Sequence, residues 1–210
     1  MYCCRCMPVD KVQKRLLTMV LDVIQINRTL RNVSYRLHSQ WKKKLELDTW
    51  KDLATQNDLV EQRMNNVILR RIGCEDAWLT EDIDVVKKWL SVIKNLPVLL
   101  PSSGLITQNC PDYIWDSQYR KIMQQRFTQN QIDQLIALWP HCSESAMWMP
   151  ENMLKNAEYY SASALYHYWF KHPFWTLLSP SLPIMETPIK LSPVEVENTI
   201  GWMFRLERFL

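Results

Sequence analysis

Apolar residues recur at alternating spacings of three and four near the start of the chain. The run extends from Val9 to Leu37, and neither Gly nor Pro interrupts residues 9–47. The pattern therefore predicts one long helix over 9–47. Alternating spacings of three and four place the residues along one stripe, as in a coiled coil. The predicted association seam comprises Val9, Val12, Leu16, Met19, Val23, Ile26, Leu30, Val33 and Leu37.

A second helix is predicted to begin near Asp48, a good N-cap residue, and to end at Gly73, which suits a C-terminal cap. Two long helices joined by a short break predict an antiparallel hairpin. In its first half, the first helix has a wider apolar face than a two-stranded coil requires. Burial against several helices is expected there. The additional apolar residues are Leu17, Val20, Leu21 and Ile24.

From Cys74 onward, the pattern predicts shorter helices separated by prolines. Proline-rich connections are expected near 97–111 and 173–193, and the first of them is the candidate subdomain boundary. The last helix is predicted to open with a capping box at Ser192–Glu195. The expected organisation is a Cys-rich tip at 1–8, a helix pair at 9–73 and a helical domain at 74–210.

Composition favours an all-α fold. The 210 residues include only 3 Gly but 10 Trp and 10 Met, which is typical of helices whose gaps are filled by large flat or flexible side chains. The prediction is a long N-terminal hairpin or coiled-coil-like segment followed by a Trp-rich helical bundle. No stretch approaches the roughly 20 consecutive apolar residues of a transmembrane span.

Charge is unevenly distributed along the chain. Residues 1–44 carry ten Lys and Arg residues and two acidic residues, a charge of +8, whereas the remainder carries −5. The asymmetry suggests an anionic contact: a membrane surface, a nucleic acid, or the acidic remainder of this protein or of a partner. An ordinary solvated helix face is the alternative. The candidate contact residues are Lys11, Lys14, Arg15, Arg28, Arg31, Arg36, Lys42, Lys43 and Lys44.

The sequence contains little that indicates catalysis or metal binding. His141 and Cys142 are adjacent, but neighbours in sequence rarely form a nucleophile and base pair, and no Gly-rich phosphate loop or catalytic motif accompanies them. Cys4 and Cys6 lack a convincing second pair of zinc ligands. We therefore expect no enzymatic activity, no cofactor, no metal and no small-molecule substrate.

Aromatic residues are concentrated between positions 159 and 175. Such a stretch is typical of a helical core, and it also suits a binding surface because Trp and Tyr contribute strongly to interfaces. A membrane-interface element is a third interpretation. The candidate surface comprises Tyr159, Tyr160, Tyr166, Tyr168, Trp169, Phe170, Phe174 and Trp175.

The N-terminal tip contains Cys3, Cys4 and Cys6, followed by Lys11, Lys14 and Arg15. Vicinal cysteines before basic residues resemble the start of dually palmitoylated proteins, over about ten residues. That resemblance implies S-acylation of these cysteines. Two acyl chains, or one chain plus a basic patch, suffice for stable membrane anchoring. Free or buried thiols are the alternative. The irregular cysteine spacing predicts an intracellular location, in the cytoplasm or at the membrane periphery.

Together these patterns predict a non-enzymatic helical protein that acts by association. It is expected to serve as a scaffold, adaptor or subunit of a larger complex, with itself or with a protein partner. A peripheral membrane protein anchored by acylation and a basic patch is the first alternative. A non-specific nucleic-acid-binding protein that uses the basic first helix is the second.

Overall fold

The structure, a computed structural model, describes residues 9–47, 57–140 and 145–210, with side chains described from residue 13 onward. Over these ranges the chain forms ten α-helices, one short 3-10 helix and no strand. The predicted all-α class is confirmed. The helices are α1 (Val9–Arg31), α2 (Ser39–Lys44), α3 (Asp58–Arg71), α4 (Ile83–Gln108), α5 (Asp112–Trp115), α6 (Ser117–Met123), α7 (Gln129–Leu138), α8 (Pro150–Trp169), α9 (Phe174–Leu178) and α10 (Pro193–Leu206), with the 3-10 helix Ser179–Ser181 after α9.

The prediction of a continuous helix over 9–47 is wrong, because α1 ends at Arg31 and a turn precedes α2. Polar side chains stabilise this turn. Asn65 on α3 accepts a hydrogen bond from the backbone N–H of Ser34 and donates one to the Asn32 side chain, both at 2.8 Å. Asn and Ser favour turns because their side chains compete for backbone hydrogen bonds. The predicted cap at Asp48 lies outside the described residues, and α3 begins instead behind Asn57, whose side chain caps it.

The segment predicted as a proline-rich connection at 97–111 is mostly helix, since α4 continues through Pro97 and Pro101 to Gln108. A proline within a helix leaves the carbonyl four residues earlier without its donor. Pro101 thus deprives the Pro97 carbonyl of a partner, and the Arg126 guanidinium donates to that carbonyl at 2.9 Å. Because this hydrogen bond satisfies the Pro97 carbonyl, α4 can continue through the predicted subdomain boundary at 97–111. In the second predicted connection, α9 and the 3-10 helix occupy 174–181, and residues 182–192 are irregular.

The main hydrophobic core surrounds α4, which packs chiefly against α8 and α10. Trp89 on α4 is the centre of an aromatic cluster: its ring centroid lies 4.8 Å from Phe204, 5.5 Å from Trp169 and 6.5 Å from Phe174. Edge-to-face pairs of this kind add to the stabilisation from burial. The aromatic cluster thus joins α4 to α8, α9 and α10 in the core.

By length and composition α4 could also cross a membrane, with a mean hydropathy of 1.2 over its most apolar stretch. Of that stretch, 61% is buried against the rest of the chain. A helix at the centre of a core passes the same test, so α4 is weak evidence for a membrane span. Its central position accounts for its apolar character.

The turn between α1 and α2, the residue Leu47 after α2, and α3 with the turn that follows it form a second, smaller cluster of buried apolar side chains. The tight turn after α3 positions this cluster. Gly73 adopts φ +72°, and the N–H of Cys74 donates to the Leu69 carbonyl at 2.7 Å, as in a glycine-based helix cap. Gly73 therefore ends α3 as predicted. The cluster comprises Val33, Leu37, Leu47, Met64, Ile68, Leu69 and Cys74.

The predicted capping box at the start of α10 is present. Ser192 and Glu195 exchange hydrogen bonds between side chain and backbone, and the Ser192 hydroxyl also donates to the Glu195 carboxylate at 2.7 Å. These bonds from Ser192 hold the pKa of Glu195 below its ordinary value of 4.5. Stability from the ionised carboxylate is therefore present above that value and is lost as the pH falls through the lowered pKa.

We expect Ser192→Ala to lower the free energy of unfolding by about 1 kcal/mol at neutral pH, because it removes the capping hydroxyl, which is one of the two donors from Ser192 to Glu195. The difference from the unsubstituted protein should shrink as the pH falls through the lowered pKa of Glu195, because protonation weakens the bond from the Ser192 hydroxyl to the carboxylate. Urea denaturation at neutral pH and at about pH 3 measures both effects. Ser117→Ala, at an exposed position on α6, is the control, with a change within about 0.5 kcal/mol. A difference that persists unchanged in acid would contradict the assigned role of the carboxylate.

Candidate protein-docking site

The first half of α1 exposes a continuous set of large apolar side chains. We call residues 13–25 of α1 the arm. The exposed fractions of these six apolar side chains range from 48% for Ile24 to 65% for Met19. Contiguous apolar surface of this kind marks an interaction site in a soluble protein. The exposed apolar side chains of the arm are Leu16, Leu17, Met19, Val20, Leu21 and Ile24.

The apolar surface of the arm is broad. Successive residues of an α-helix are about 100° apart, so the apolar positions from Met19 around to Leu21 cover an arc of about 200°. A two-stranded coiled coil uses a narrower stripe. The remaining side of the arm is polar and carries the basic residues Lys14 and Arg15, both exposed. The arm therefore suits a groove between helices better than a single partner helix.

The second half of α1 is anchored in the protein core. Asn27 is fully buried, and its side-chain amide donates to the Leu79 carbonyl and accepts from the Leu79 N–H, both at 2.8 Å. Ile26 and Leu30 pack in the main core on either side of it. Just before this anchor, Asp22 pairs with Lys87 of α4 at 3.2 Å. Because the helix is continuous, the arm is held in a fixed direction.

The structure divides the predicted association seam into two parts. Leu16 and Met19 are exposed on the arm, and Val23 is half-buried at its end. The later seam residues are buried within the same chain and so do not face a partner. Val9 and Val12 have side chains outside the described part of the structure. The buried seam residues are Ile26, Leu30, Val33 and Leu37.

The proposed basic stripe is not brought together on one surface. Arg36 is buried, with 7% exposure, so its inclusion as an anionic contact is wrong. Arg31 donates to the carbonyls of Glu75 and Ala77, which ties it to its own chain. Lys44 lies over the ring of Trp41, 5.3 Å from its centroid. The exposed basic residues are Lys14, Arg15, Arg28, Lys43 and Lys44, with Lys42 half-buried, and the side chain of Lys11 lies outside the described residues.

The aromatic stretch combines core and surface. Tyr160, Trp169 and Phe174 are buried, and Tyr168 and Phe170 are 46% and 53% exposed. Burial is the main cause that raises the pKa of Tyr160 to about 12, and the nearby Glu195 carboxylate contributes less. Tyr159, Tyr166 and Trp175 are half-buried. The Tyr159 hydroxyl donates to the Ile184 carbonyl, and the ring centroids of Tyr166 and Trp175 lie 5.3 Å apart.

The described residues hold no cluster of three or more His, Cys, Asp or Glu side chains that could bind a metal. Cys74 and Cys110 are buried free thiols, and burial is the main cause that raises the pKa of each. Both thiols are therefore less reactive than an ordinary cysteine. Cys3, Cys4, Cys6, His141 and Cys142 lie outside the described residues, so acylation remains a prediction.

Sequence reasoning missed Asn27, which fixes α1 to the segment before α4. An uncharged polar residue on the otherwise apolar side of a helix is the signal that could have indicated it. The sequence also did not distinguish the exposed half of the seam from the buried half. Both halves show the same spacing, and only the tertiary structure determines which half the rest of the chain covers.

Comparison with known proteins gives one family. Residues 24–184 match the model of a family described as type III secretion system subunit. No curated protein and no solved structure matches the chain. The match covers more than half of the chain and includes α4 and α8, whereas most of the arm precedes it and α10 follows it. The chain belongs to this family of type III secretion system subunits.

Proposed function

We propose that the protein is a non-enzymatic assembly subunit that docks onto a protein partner in the secretion complex through the arm. The observation that carries this proposal is the apolar surface of the arm, six large side chains 48–65% exposed on a helix whose other half is fixed in the core. Membership in a secretion system subunit family makes the chain part of a multi-protein assembly. It does not say which surface makes the contact.

Helix-in-groove recognition fits the arm. In this mode an amphipathic helix lays its apolar residues into a hydrophobic groove of the partner. Because the arm is already helical and continuous with the anchored half of α1, little conformational entropy is lost on binding. Its wide apolar arc allows contact with two walls of a groove at once. Exposed Lys14 and Arg15 then favour acidic residues along the groove margin.

The decisive variant is Val20→Gln/Ile24→Gln, which we call the arm variant. Val20 and Ile24 lie within the apolar arc and are 53% and 48% exposed. We expect the affinity for the partner to fall at least on the order of 30-fold, because central apolar residues dominate interface energies. Tagged chain purified from cells that assemble the secretion system, followed by mass spectrometry of the retained secretion subunits, measures the loss.

Thr18→Ala/Gln25→Ala is the matched control on the polar side of the same helix, and it should retain the same subunits. Circular dichroism and the urea midpoint of both variants should equal those of the unsubstituted protein, because all four substituted side chains are exposed. Retention of every secretion subunit by the arm variant would rule out the arm as the docking element.

A membrane surface is the second candidate for the arm. Lys14 and Arg15 flank its apolar arc, as in helices that lie at the surface of anionic bilayers. Flotation with vesicles rich in phosphatidylglycerol, compared with neutral phosphatidylcholine vesicles, tests this role. Binding that requires anionic lipid and is lost in the arm variant would favour the membrane. An intracellular location and the absence of catalysis remain parts of the proposal.

A further inference from the structure

A second exposed apolar surface lies beyond the C-terminal end of α4. Trp115, Met147 and Met149 are 65%, 74% and 70% exposed. We call these three residues the Trp–Met patch. The segment that carries both methionines lies against α5, which carries Trp115, because the Tyr113 hydroxyl accepts from the backbone N–H of Met147 at 3.2 Å and of Trp148 at 3.1 Å. Tryptophan is favoured at interfaces, and methionine adapts to varied apolar surfaces.

Acidic residues lie near this patch, and the Asp112 carboxylate accepts a hydrogen bond from the N–H of Ala146, next to Met147, at 3.3 Å. The Tyr119 hydroxyl donates to the Trp148 carbonyl at 2.8 Å, between the two methionines. The pKa of Tyr119 is raised, chiefly by burial. Neighbouring groups raise it further, and they include the carboxylates of Asp112, Asp116 and Glu151. These three carboxylates therefore lie within electrostatic reach of the patch and are themselves exposed. The patch suits an apolar helix that carries basic residues beside its apolar face.

The arm has this chemistry, but it cannot reach the patch of its own chain. Asp22, at the end of the arm, is fixed to Lys87 near the start of α4, and the patch lies beyond Gln108. Helical rise places Lys87 and Gln108 about 32 Å apart, whereas the arm from Gln13 to Asp22 is about 14 Å long. The two apolar surfaces lie at opposite ends of the central helix.

We propose that the arm of one copy docks onto the Trp–Met patch of a second copy. This proposal rests on the proposed function of the arm and names its partner. The contact joins two different surfaces, so a pair of copies keeps one free arm, on one chain, and one free patch, on the other. Such a heterologous contact produces open chains or rings, in contrast to a symmetric α1–α1 coil that ends at a dimer.

Sedimentation of the purified full chain tests the contact. The average mass should increase with concentration beyond the dimer. The arm variant lacks a competent arm, and the patch variant, Met147→Gln/Met149→Gln, lacks a competent patch. Each should remain monomeric alone. Mixed in equal amounts, they should form a dimer and nothing larger, because one intact arm can meet one intact patch.

Val194→Gln changes an exposed apolar side chain on α10 and should associate like the unsubstituted chain. A patch variant that still associates alone would overturn the proposal in favour of α1–α1 pairing, and a mixture that stays monomeric would overturn it altogether. In either case, loss of secretion subunits from the arm variant would leave the proposed function intact. Unchanged subunit retention would remove the proposed function independently.

Discussion

Gly104→Ala should destabilise the protein strongly. Gly104 on α4 lies against the backbone of α8, so closely that an added Cβ would overlap the Ala157 carbonyl oxygen and lie 2.8 Å from the Ala157 Cα. Neither atom belongs to a flexible side chain. Two packed helices would have to separate, and the hydrogen bond between Ser103 and Ser161 at 2.9 Å would be disturbed. We expect a loss of at least about 3 kcal/mol, the upper range for overpacked cores.

Gly201→Ala provides the matched control, because it makes the same chemical change in a helix. A Cβ at Gly201 would meet no atom within 4 Å. Alanine is the better helix former there, so we expect stability to increase by up to about 1 kcal/mol. Urea denaturation followed by circular dichroism compares the two variants. Equal midpoints for both would show that the close approach of α4 and α8 does not limit stability.

The class of fold could be predicted from sequence, but the path of the chain could be predicted only in part. Helical periodicity, Gly73 and the Ser192–Glu195 capping box depend on neighbouring residues and were identified correctly. The break after Arg31 and the passage of α4 through two prolines depend on distant partners. Asn65 stabilises the first and Arg126 the second. Local pattern does not contain those contacts.

The candidate docking site shows the same limit. Heptad spacing identified an apolar stripe that includes Leu16 and Met19, which the structure exposes. Spacing alone could not show that the stripe changes from surface to core at Ile26, because the change follows from the position of α4 and of the Asn27 anchor. The Trp–Met patch has no periodic signal at all. Its residues come from two segments of the chain that are joined by hydrogen bonds to the Tyr113 hydroxyl and the Asp112 carboxylate.

Arg36 is a buried charged residue, and substituting it should have the second large effect on stability. Its guanidinium donates to the Ser181 hydroxyl and to the backbone carbonyls of Leu30 and Leu177, so one side chain joins the end of α1 to α9 and the 3-10 helix. Burial lowers the pKa of Arg36 from its ordinary value to about 10, against a smaller opposing influence from Tyr35. The folded state therefore holds this proton less tightly than the unfolded chain does. The charge opposes folding at neutral pH, and its hydrogen bonds offset that cost.

We expect Arg36→Ala to destabilise the protein by about 3–5 kcal/mol, because it leaves buried acceptors without donors and opens a cavity. Arg36→Met should cost less, since it fills the space and removes the buried charge but still abandons the acceptors. Arg28→Ala, at an exposed position on α1, is the control, expected within about 0.5 kcal/mol of the unsubstituted protein. The urea concentrations at which half of the protein is unfolded rank the three variants by stability. If Arg36→Ala and Arg28→Ala unfold at the same urea concentration, the guanidinium does not hold α1 to α9.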